Sequence, residues 1–82
     1  MPAKATAANV EEKIYDGLVE LGAERAEISR SATLEDLDVD SLDLVELAQI
    51  IEDEFAVELR RDDVKNVKTV GDVVDVVVAK AG

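Results

Sequence analysis

Apolar residues recur in three segments of the chain at offsets of one, three or four positions, as on one face of an α-helix. The three stripes are Val10, Ile14, Leu18 and Leu21; Leu44, Leu47, Ala48, Ile51 and Phe55; and Val70, Val73, Val74, Val77 and Val78. This periodicity predicts three amphipathic helices, of which the middle one spans residues 41–55.

Capping residues indicate where two of these helices begin. Asn9 is placed to cap the first helix, and Gly22 is a natural C-terminal stop. Asp40 is placed to cap the second helix, with Asp43 three residues further on, near the positive end of the helix dipole. We therefore expect the first helix to follow Asn9 and the second to begin at Ser41.

The last apolar segment is ambiguous between a helix and a strand. Its five valines favour a strand by propensity. Thr69 and Asp72, however, resemble a capping box with Asp in place of the usual Glu, and Asp72 and Asp75 fall on one helical face. Because strict alternation is absent, the period favours a helix, and a strand remains the alternative.

The other segments are short or irregular. Residues 1–8 are rich in Ala and predict a disordered tail ahead of one domain at residues 9–82. Residues 23–39 show no sustained period and predict a long loop with one turn near residues 33–37, and residues 60–67 predict a short helix or turn. The expected fold class is all-α, with three longer helices, one short helix and a long loop between the first two.

Composition limits the chemistry open to a single domain of 82 residues. The chain has no Cys and no His, which excludes disulfides, the usual zinc sites, and Ser-His or Cys-His nucleophile pairs. Catalysis would need carboxylates, Lys, Tyr or a borrowed group, and no paired acids indicate an active site. We therefore expect a protein that is not an enzyme.

The charge of the chain restricts its partners. Twenty acids against nine bases give a net charge of -11, which disfavours nucleic acid and anionic membranes and favours a basic protein surface. No apolar run is long enough to span a bilayer. The N-terminal MPAKATAANV lacks the apolar stretch of a secretory signal, so we expect a cytoplasmic protein.

The acids are concentrated around the second predicted helix. Residues 31–59 contain ten of the twenty acids and neither Lys nor Arg. A helix selected only for stability would place Lys four residues after Glu, so the pattern favours a recognition surface for a basic partner over an ordinary solvated face. The acidic clusters at residues 36–40 and 52–54 lack the Gly and the closing Glu of an EF-hand loop, and we predict no metal site.

One serine lies where the long loop meets the acidic helix. By its chemistry alone, Ser41 is an ordinary first-turn serine with no His or Lys beside it to activate it. The sequence EDLDVDSLDLVEL at residues 35–47, followed by EDEF at residues 52–55, is similar to the signature of acyl carrier proteins. DDVKNVKTVGD at residues 62–72 resembles the end of the third helix and the start of the fourth in that family, and the likeness extends over about residues 9–80.

The resemblance implies a four-helix bundle with a carrier function. Ser41 would be esterified by 4′-phosphopantetheine, which a phosphopantetheinyl transferase would transfer from coenzyme A. The thiol of this arm would hold acyl groups as thioesters, so the chain would need no reactive cysteine. The implied partners of the monomeric carrier are this transferase, a ketosynthase, an acyltransferase, a ketoreductase and other synthase enzymes.

The resemblance also assigns roles to individual residues. Basic patches of partner enzymes would contact Asp40, Leu42, Asp43, Val45, Glu46, Glu52 and Asp53. An acyl pocket would be lined by Ile51, Phe55, Val64 and Val67, for which plain core packing is an equal alternative. The chain departs from the family at Asp38, where many relatives have Gly, and at Gln49, where many have an apolar residue. Because Asp tolerates left-handed backbone better than most residues, we expect the loop to keep its shape.

The pathway remains open between alternatives. The motif resembles carriers of fatty acid synthesis more than those of polyketide synthesis, and it lacks the Gly residues that commonly precede the serine in carriers of peptide synthetases. A function of another class is an unmodified acidic adaptor that binds a basic protein through the second helix. Modification of Ser41 would distinguish a carrier from an adaptor.

Overall fold

The computed structural model of the chain describes residues 4–81, which form an all-α domain. The elements are three long helices, α1 (Ala7–Glu20), α2 (Ser41–Phe55) and α4 (Val70–Ala81), and one short helix, α3 (Arg61–Val64). A single 3₁₀ turn at Arg25–Glu27 interrupts the loop between α1 and α2. Residues 4–81 contain no strand beyond an isolated bridge between Thr33 and Thr69. The predicted all-α class, with three longer helices and one short one, is confirmed.

Helix α1 begins earlier than its sequence pattern predicts. Its N-cap is Thr6, whose Oγ1 accepts a hydrogen bond from the backbone N–H of Asn9 at 3.2 Å. The carbonyl of Thr6 also accepts from the N–H of Val10 at 2.9 Å, so a start at Thr6 gives both N–H groups a partner. The prediction of Asn9 as the cap is therefore wrong by three residues. Residues 7 and 8 of the predicted tail are helical, and residues 1–3 lie outside the described residues.

Helix α4 forms in spite of its valines. Its buried residues follow helical spacing and comprise Val70, Gly71, Val73, Val74 and Val77. Burial of a valine side chain contributes about 1.5 kcal/mol or more, whereas its weaker helix propensity costs less than about 0.7 kcal/mol. The predicted capping box is also present, because Asp72 N–H donates to Thr69 Oγ1 at 3.1 Å and Thr69 N–H donates to Asp72 Oδ2 at 3.2 Å. The strand alternative is therefore wrong.

The core lies where α1 packs against α2 and α4. Its helical members are Val10, Ile14, Leu18, Leu47, Ile51, Phe55, Val70, Val73, Val74 and Val77, and its loop members are Ile28, Leu34, Leu37 and Val57. Gly17 lies at the contact of α1 with α2, where an added Cβ would be 2.8 Å from Cδ1 of Leu47. The interior glycine that weakens α1 by propensity thus lets the two helices approach closely.

The long loop is docked on the first turn of α4. The N–H of Gly71 donates to the carbonyl of Arg30 at 2.9 Å, and the N–H of Val70 donates to the carbonyl of Ala32 at 3.0 Å. First-turn N–H groups have no acceptor within their own helix, so the loop supplies the missing partners. A Cβ on Gly71 would lie 2.9 Å from the carbonyl oxygen of Arg30, which explains why a residue without a side chain occupies this position.

Two arginines fasten the same loop through their side chains. The guanidinium of Arg30 lies 2.9 Å from a carboxylate oxygen of Asp75 in α4 and 3.8 Å from one of Glu11 in α1. Arg25 lies over the ring of Tyr15, 4.8 Å from its centre, and the Tyr15 hydroxyl donates to Glu11 at 2.8 Å. Burial and this hydrogen bond raise the pKa of Tyr15 above its ordinary value. The loop is therefore held against two helices although it has no hydrophobic period.

Candidate functional site

Ser41 is the first residue of α2, and a reciprocal cap fixes the backbone around it. The N–H of Asp43 donates to Oδ1 of Asp40 at 3.0 Å, and the N–H of Asp40 donates to Oδ2 of Asp43 at 3.3 Å. The carbonyl of Asp40 accepts the N–H of Leu44 at 3.0 Å. These bonds account for the predicted start of α2 and leave Ser41 exposed at the open end of the helix.

A tight turn leads the chain to this serine. Leu34 and Leu37 are buried, and the carbonyl of Leu34 accepts the N–H of Val39 at 2.9 Å. Between them and Ser41, Asp38 has a φ of 58°, in the left-handed region. Gly is the usual residue for such a position, and Asp is one of the few others that adopt it routinely. The turn expected in spite of the Asp38 departure is present.

The seven residues predicted to contact partners share the surface that begins at Ser41. We call this set, namely Asp40, Leu42, Asp43, Val45, Glu46, Glu52 and Asp53, the acidic surface. Leu42 and Val45 are 73% and 60% exposed and place apolar surface among the carboxylates. Helical spacing aligns Leu42, Val45 and Glu46 with Asp53, three turns further along α2. The core residues of α2 occupy the opposite face.

The acidic surface has no neutralising partner within residues 4–81. The four ion pairs there involve the acids Glu11, Asp75, Glu58 and Asp63, and none of these belongs to α2. Unpaired like charges along one helix repel each other and create a field that attracts cationic groups. The arrangement suits recognition of a basic surface better than it suits stability.

The four residues predicted to line an acyl pocket are only partly brought together. Ile51 and Phe55 are buried in the core, and Val67 is half-buried against it. Val64 is half-buried but lies outside that cluster. A surface groove includes Phe55, at the end of α2 opposite Ser41. Its other lining residues come from the segment before α1, the segment that follows α2 and the end of α4: Ala5, Ala56, Val57, Glu58, Arg60, Lys80 and Ala81. The acyl pocket stays a prediction.

Two further carboxylates stabilise the helices that support the site. Hydrogen bonds from the backbone N–H groups of Lys68 and Thr69 lower the pKa of Asp72 below its ordinary value. The N–H of Arg60, followed by the Lys80 ammonium at 3.0 Å, lowers the pKa of Asp63. Among residues 4–81, no three acids come together as ligands for a metal ion. No helix in the same range is long and apolar enough to cross a membrane.

Sequence reasoning missed the residues that dock the loop leading to Ser41. Arg30 and Gly71 meet across a sequence separation that no local pattern reports, and neither belongs to an apolar stripe. It also missed three exposed cations that follow α2, Arg61, Lys65 and Lys68. A signal for these was available, because residues 60–68 contain four of the nine bases directly after a long segment that has none.

Comparison with known proteins agrees with this geometry. Residues 19–77 match the family described as "Phosphopantetheine attachment site". The chain is 41% identical over 71 residues to the acyl carrier protein of Thermobifida fusca (strain YX), an alignment that covers 79% of this chain and 90% of that relative. The domain that matches is one that carries covalently attached 4′-phosphopantetheine, and its members act as carriers rather than as enzymes. The expected cofactor and the expected class of protein are thereby confirmed, and the chain belongs to the acyl carrier protein family.

Proposed function

We propose that Ser41 is the attachment residue and that the loaded protein moves acyl thioesters between enzymes of fatty acid synthesis. The observation that carries this proposal is the exposure of Ser41 at the capped start of α2. A hydroxyl in this position is accessible to another enzyme, while the capping box keeps the surrounding backbone in one conformation.

The attachment step uses a base that the transferase supplies. The hydroxyl oxygen of Ser41 forms a bond to the phosphorus next to the pantetheine of coenzyme A. Adenosine 3′,5′-bisphosphate leaves, and the serine proton passes to the base of the transferase. The first-turn N–H groups of Ser41 and Leu42 face the open end of α2 and favour the resulting phosphodiester anion there. The arm supplies the thiol that forms thioesters with acyl groups.

The acidic surface is the proposed docking site for partner enzymes. Its carboxylates steer basic patches toward α2, and the exposed Leu42 and Val45 add apolar contact beside the serine. The proposed partners are the phosphopantetheinyl transferase, a ketosynthase, an acyltransferase and a ketoreductase. Because exposed charges increase association rates more than they stabilise a complex, successive partners can exchange rapidly. The tethered substrate then meets each enzyme at a raised effective concentration.

Intact mass spectrometry tests the attachment residue. The protein is incubated with coenzyme A and a phosphopantetheinyl transferase, and the parent is expected to gain the mass of one phosphopantetheine. Ser41→Ala should gain nothing, and the matched control Ser31→Ala, which removes another exposed serine hydroxyl, should be modified like the parent. Modification of Ser41→Ala would show that the attachment residue lies elsewhere. No gain by the parent would favour the unmodified adaptor.

Kinetics with a ketosynthase of fatty acid synthesis test the docking surface and the pathway. Glu46→Lys with Asp53→Lys reverses two exposed charges of α2 and leaves the capping box intact. We expect the KM for the loaded carrier to rise about tenfold at low salt, while Glu12→Lys with Asp16→Lys on α1 has a smaller effect. Equal KM values for the two double variants would contradict the docking surface. Acceptance only by a polyketide ketosynthase would move the protein to that pathway.

A further inference from the structure

Two exposed cations that follow α3 form no ion pair within residues 4–81. Lys65 and Lys68 are exposed, and we call them the basic edge. The ion pairs of the described residues use other bases, namely Arg30, Arg60 and Lys80. In a chain with twenty acids and nine bases, acids are available to pair with every cation. Six of the nine nevertheless form no ion pair within residues 4–81, and Lys65 and Lys68 are two of these six.

Backbone hydrogen bonds hold the basic edge near Ser41. The carbonyl of Lys68 accepts the N–H of Leu34 at 2.9 Å, and the carbonyl of Leu34 accepts the N–H of Val39 at 2.9 Å. Val39 is two residues before Ser41. The path from Lys68 to Ser41 thus consists of two backbone hydrogen bonds and two residues of chain. The Cα atoms of Lys68 and Ser41 therefore lie within about 20 Å of each other.

One partner footprint is large enough to cover both charged regions. A protein–protein interface of standard size buries about 800 Å² on each partner, which corresponds to a patch roughly 30 Å across. A partner whose footprint lies between Ser41 and Lys68 therefore covers both the start of α2 and the residues that follow α3. Its surface must match both signs of charge, because like charges brought together across an interface are strongly unfavourable.

We propose that the basic edge is a specificity element which selects partner enzymes that have a carboxylate cluster beside their basic patch. This inference rests on the proposed docking of partners to the acidic surface. It adds the chemical group that a partner would place against the basic edge. Enzymes whose docking face is positive throughout are repelled by Lys65 and Lys68. An enzyme with a basic patch opposite the acidic surface and carboxylates opposite the basic edge is attracted at both regions. The two contacts fix its orientation over Ser41.

Charge reversal tests the proposal because KM should change in opposite directions for the two kinds of partner. Lys65→Glu with Lys68→Glu makes the docking face uniformly acidic. Toward a partner that is basic throughout, this change strengthens attraction and lowers KM. Toward a partner with the inferred carboxylate cluster it creates repulsion, and we expect KM to rise about threefold to tenfold at low salt with kcat nearly unchanged. The probe is the ketosynthase from the same organism, supplied with the loaded carrier.

A control matched in net charge separates local from global effects. Lys4→Glu with Lys13→Glu makes the same change in total charge near the C-terminal end of α2, where Lys13 and Glu54 border one groove. This control should raise KM by less than twofold. An unchanged or lower KM for the Lys65 and Lys68 double variant, relative to this control, overturns the proposal. Circular dichroism establishes that each variant is folded.

The outcome is distinguishable from failure of the proposed function. If Ser41→Ala is still modified, or if Glu46→Lys with Asp53→Lys leaves KM unchanged, then the attachment residue or the acidic docking surface is wrong. If those tests succeed and KM does not rise for the Lys65 and Lys68 double variant, only the basic edge is refuted. Restoring positive charge with Lys65→Arg and Lys68→Arg should retain the KM of the parent.

Discussion

The end of α2 contains a backbone conformation that glycine would adopt at lower cost. Ala56 follows the helix with φ 57° and ψ 33°, in the left-handed region, and its N–H donates to the carbonyl of Glu52 at 2.9 Å. For a residue with a Cβ this conformation costs roughly 1–2 kcal/mol. The side chain of Ala56 is exposed, so its removal forfeits little packing. We therefore predict that Ala56→Gly stabilises the domain.

The magnitude follows from two opposing contributions. Relief of the left-handed conformation favours the variant by roughly 1–2 kcal/mol, and the greater freedom of glycine in the unfolded chain opposes it by about 0.4–1 kcal/mol. The difference between these ranges is about 0–1.6 kcal/mol, and the expected net gain is its midpoint of about 0.8 kcal/mol. For a domain of this size, such a gain raises Tm by roughly 3–6 °C. The hydrogen bond from residue 56 to Glu52 involves only the backbone and persists in the variant.

Urea unfolding followed by circular dichroism at pH 7 measures this gain. Ala48→Gly supplies the matched control, because it is the same substitution inside the same helix. That variant should lose about 1 kcal/mol, since an interior glycine lacks the helix propensity of alanine. The two variants should thus change stability in opposite directions. Destabilisation of Ala56→Gly comparable to that of Ala48→Gly would refute the reasoning from backbone conformation.

Two other perturbations examine the contacts around α4. Gly71→Ala should lower the free energy of unfolding by about 1–3 kcal/mol in the same urea assay, because the new Cβ meets the backbone carbonyl of Arg30 at 2.9 Å. A free energy of unfolding equal to that of the parent would show that the loop moves away from the new Cβ without cost. Asp72 has a folded-state pKa below its ordinary value of 3.8, so its stabilising effect is complete above about pH 4 and is lost as the pH falls through the lowered pKa. Relative to the control Asp16→Asn, the variant Asp72→Asn should be less stable at pH 5, and the difference should narrow toward pH 2; a constant difference in Tm would argue against this linkage.

Local sequence signals located helix α2 well. Asp40 and Asp43 are three residues apart and suffice to fix the start of α2, because a capping box is satisfied entirely by neighbouring groups. The apolar stripe through Leu47 and Ile51 fixed which face is buried, so the acids were correctly placed on the exposed side. The predicted start of α1 was wrong because Thr6 and Asn9 are both good capping residues. The sequence pattern alone did not show which of the two caps the helix.

Long-range contacts could not be predicted from local sequence signals. The docking of the loop on α4 pairs carbonyls of Arg30 and Ala32 with N–H groups of Gly71 and Val70, and backbone groups have no side-chain signature. The four valines at the core of α4 also leave the choice between helix and strand to tertiary packing. The proposed attachment role of Ser41 came from the resemblance of its flanking motif and not from its own chemistry, which is that of an ordinary serine.

The docking of the central loop on the last helix has a consequence for biosynthesis. The segment that ends at Ser41 obtains its hydrogen-bonding partners from Lys68, Val70 and Gly71. A growing polypeptide on the ribosome therefore lacks those partners until residues 68–71 have been made. The loop before the serine can dock only after these residues leave the exit tunnel, so its long-range hydrogen bonds form later than the local capping box of α2.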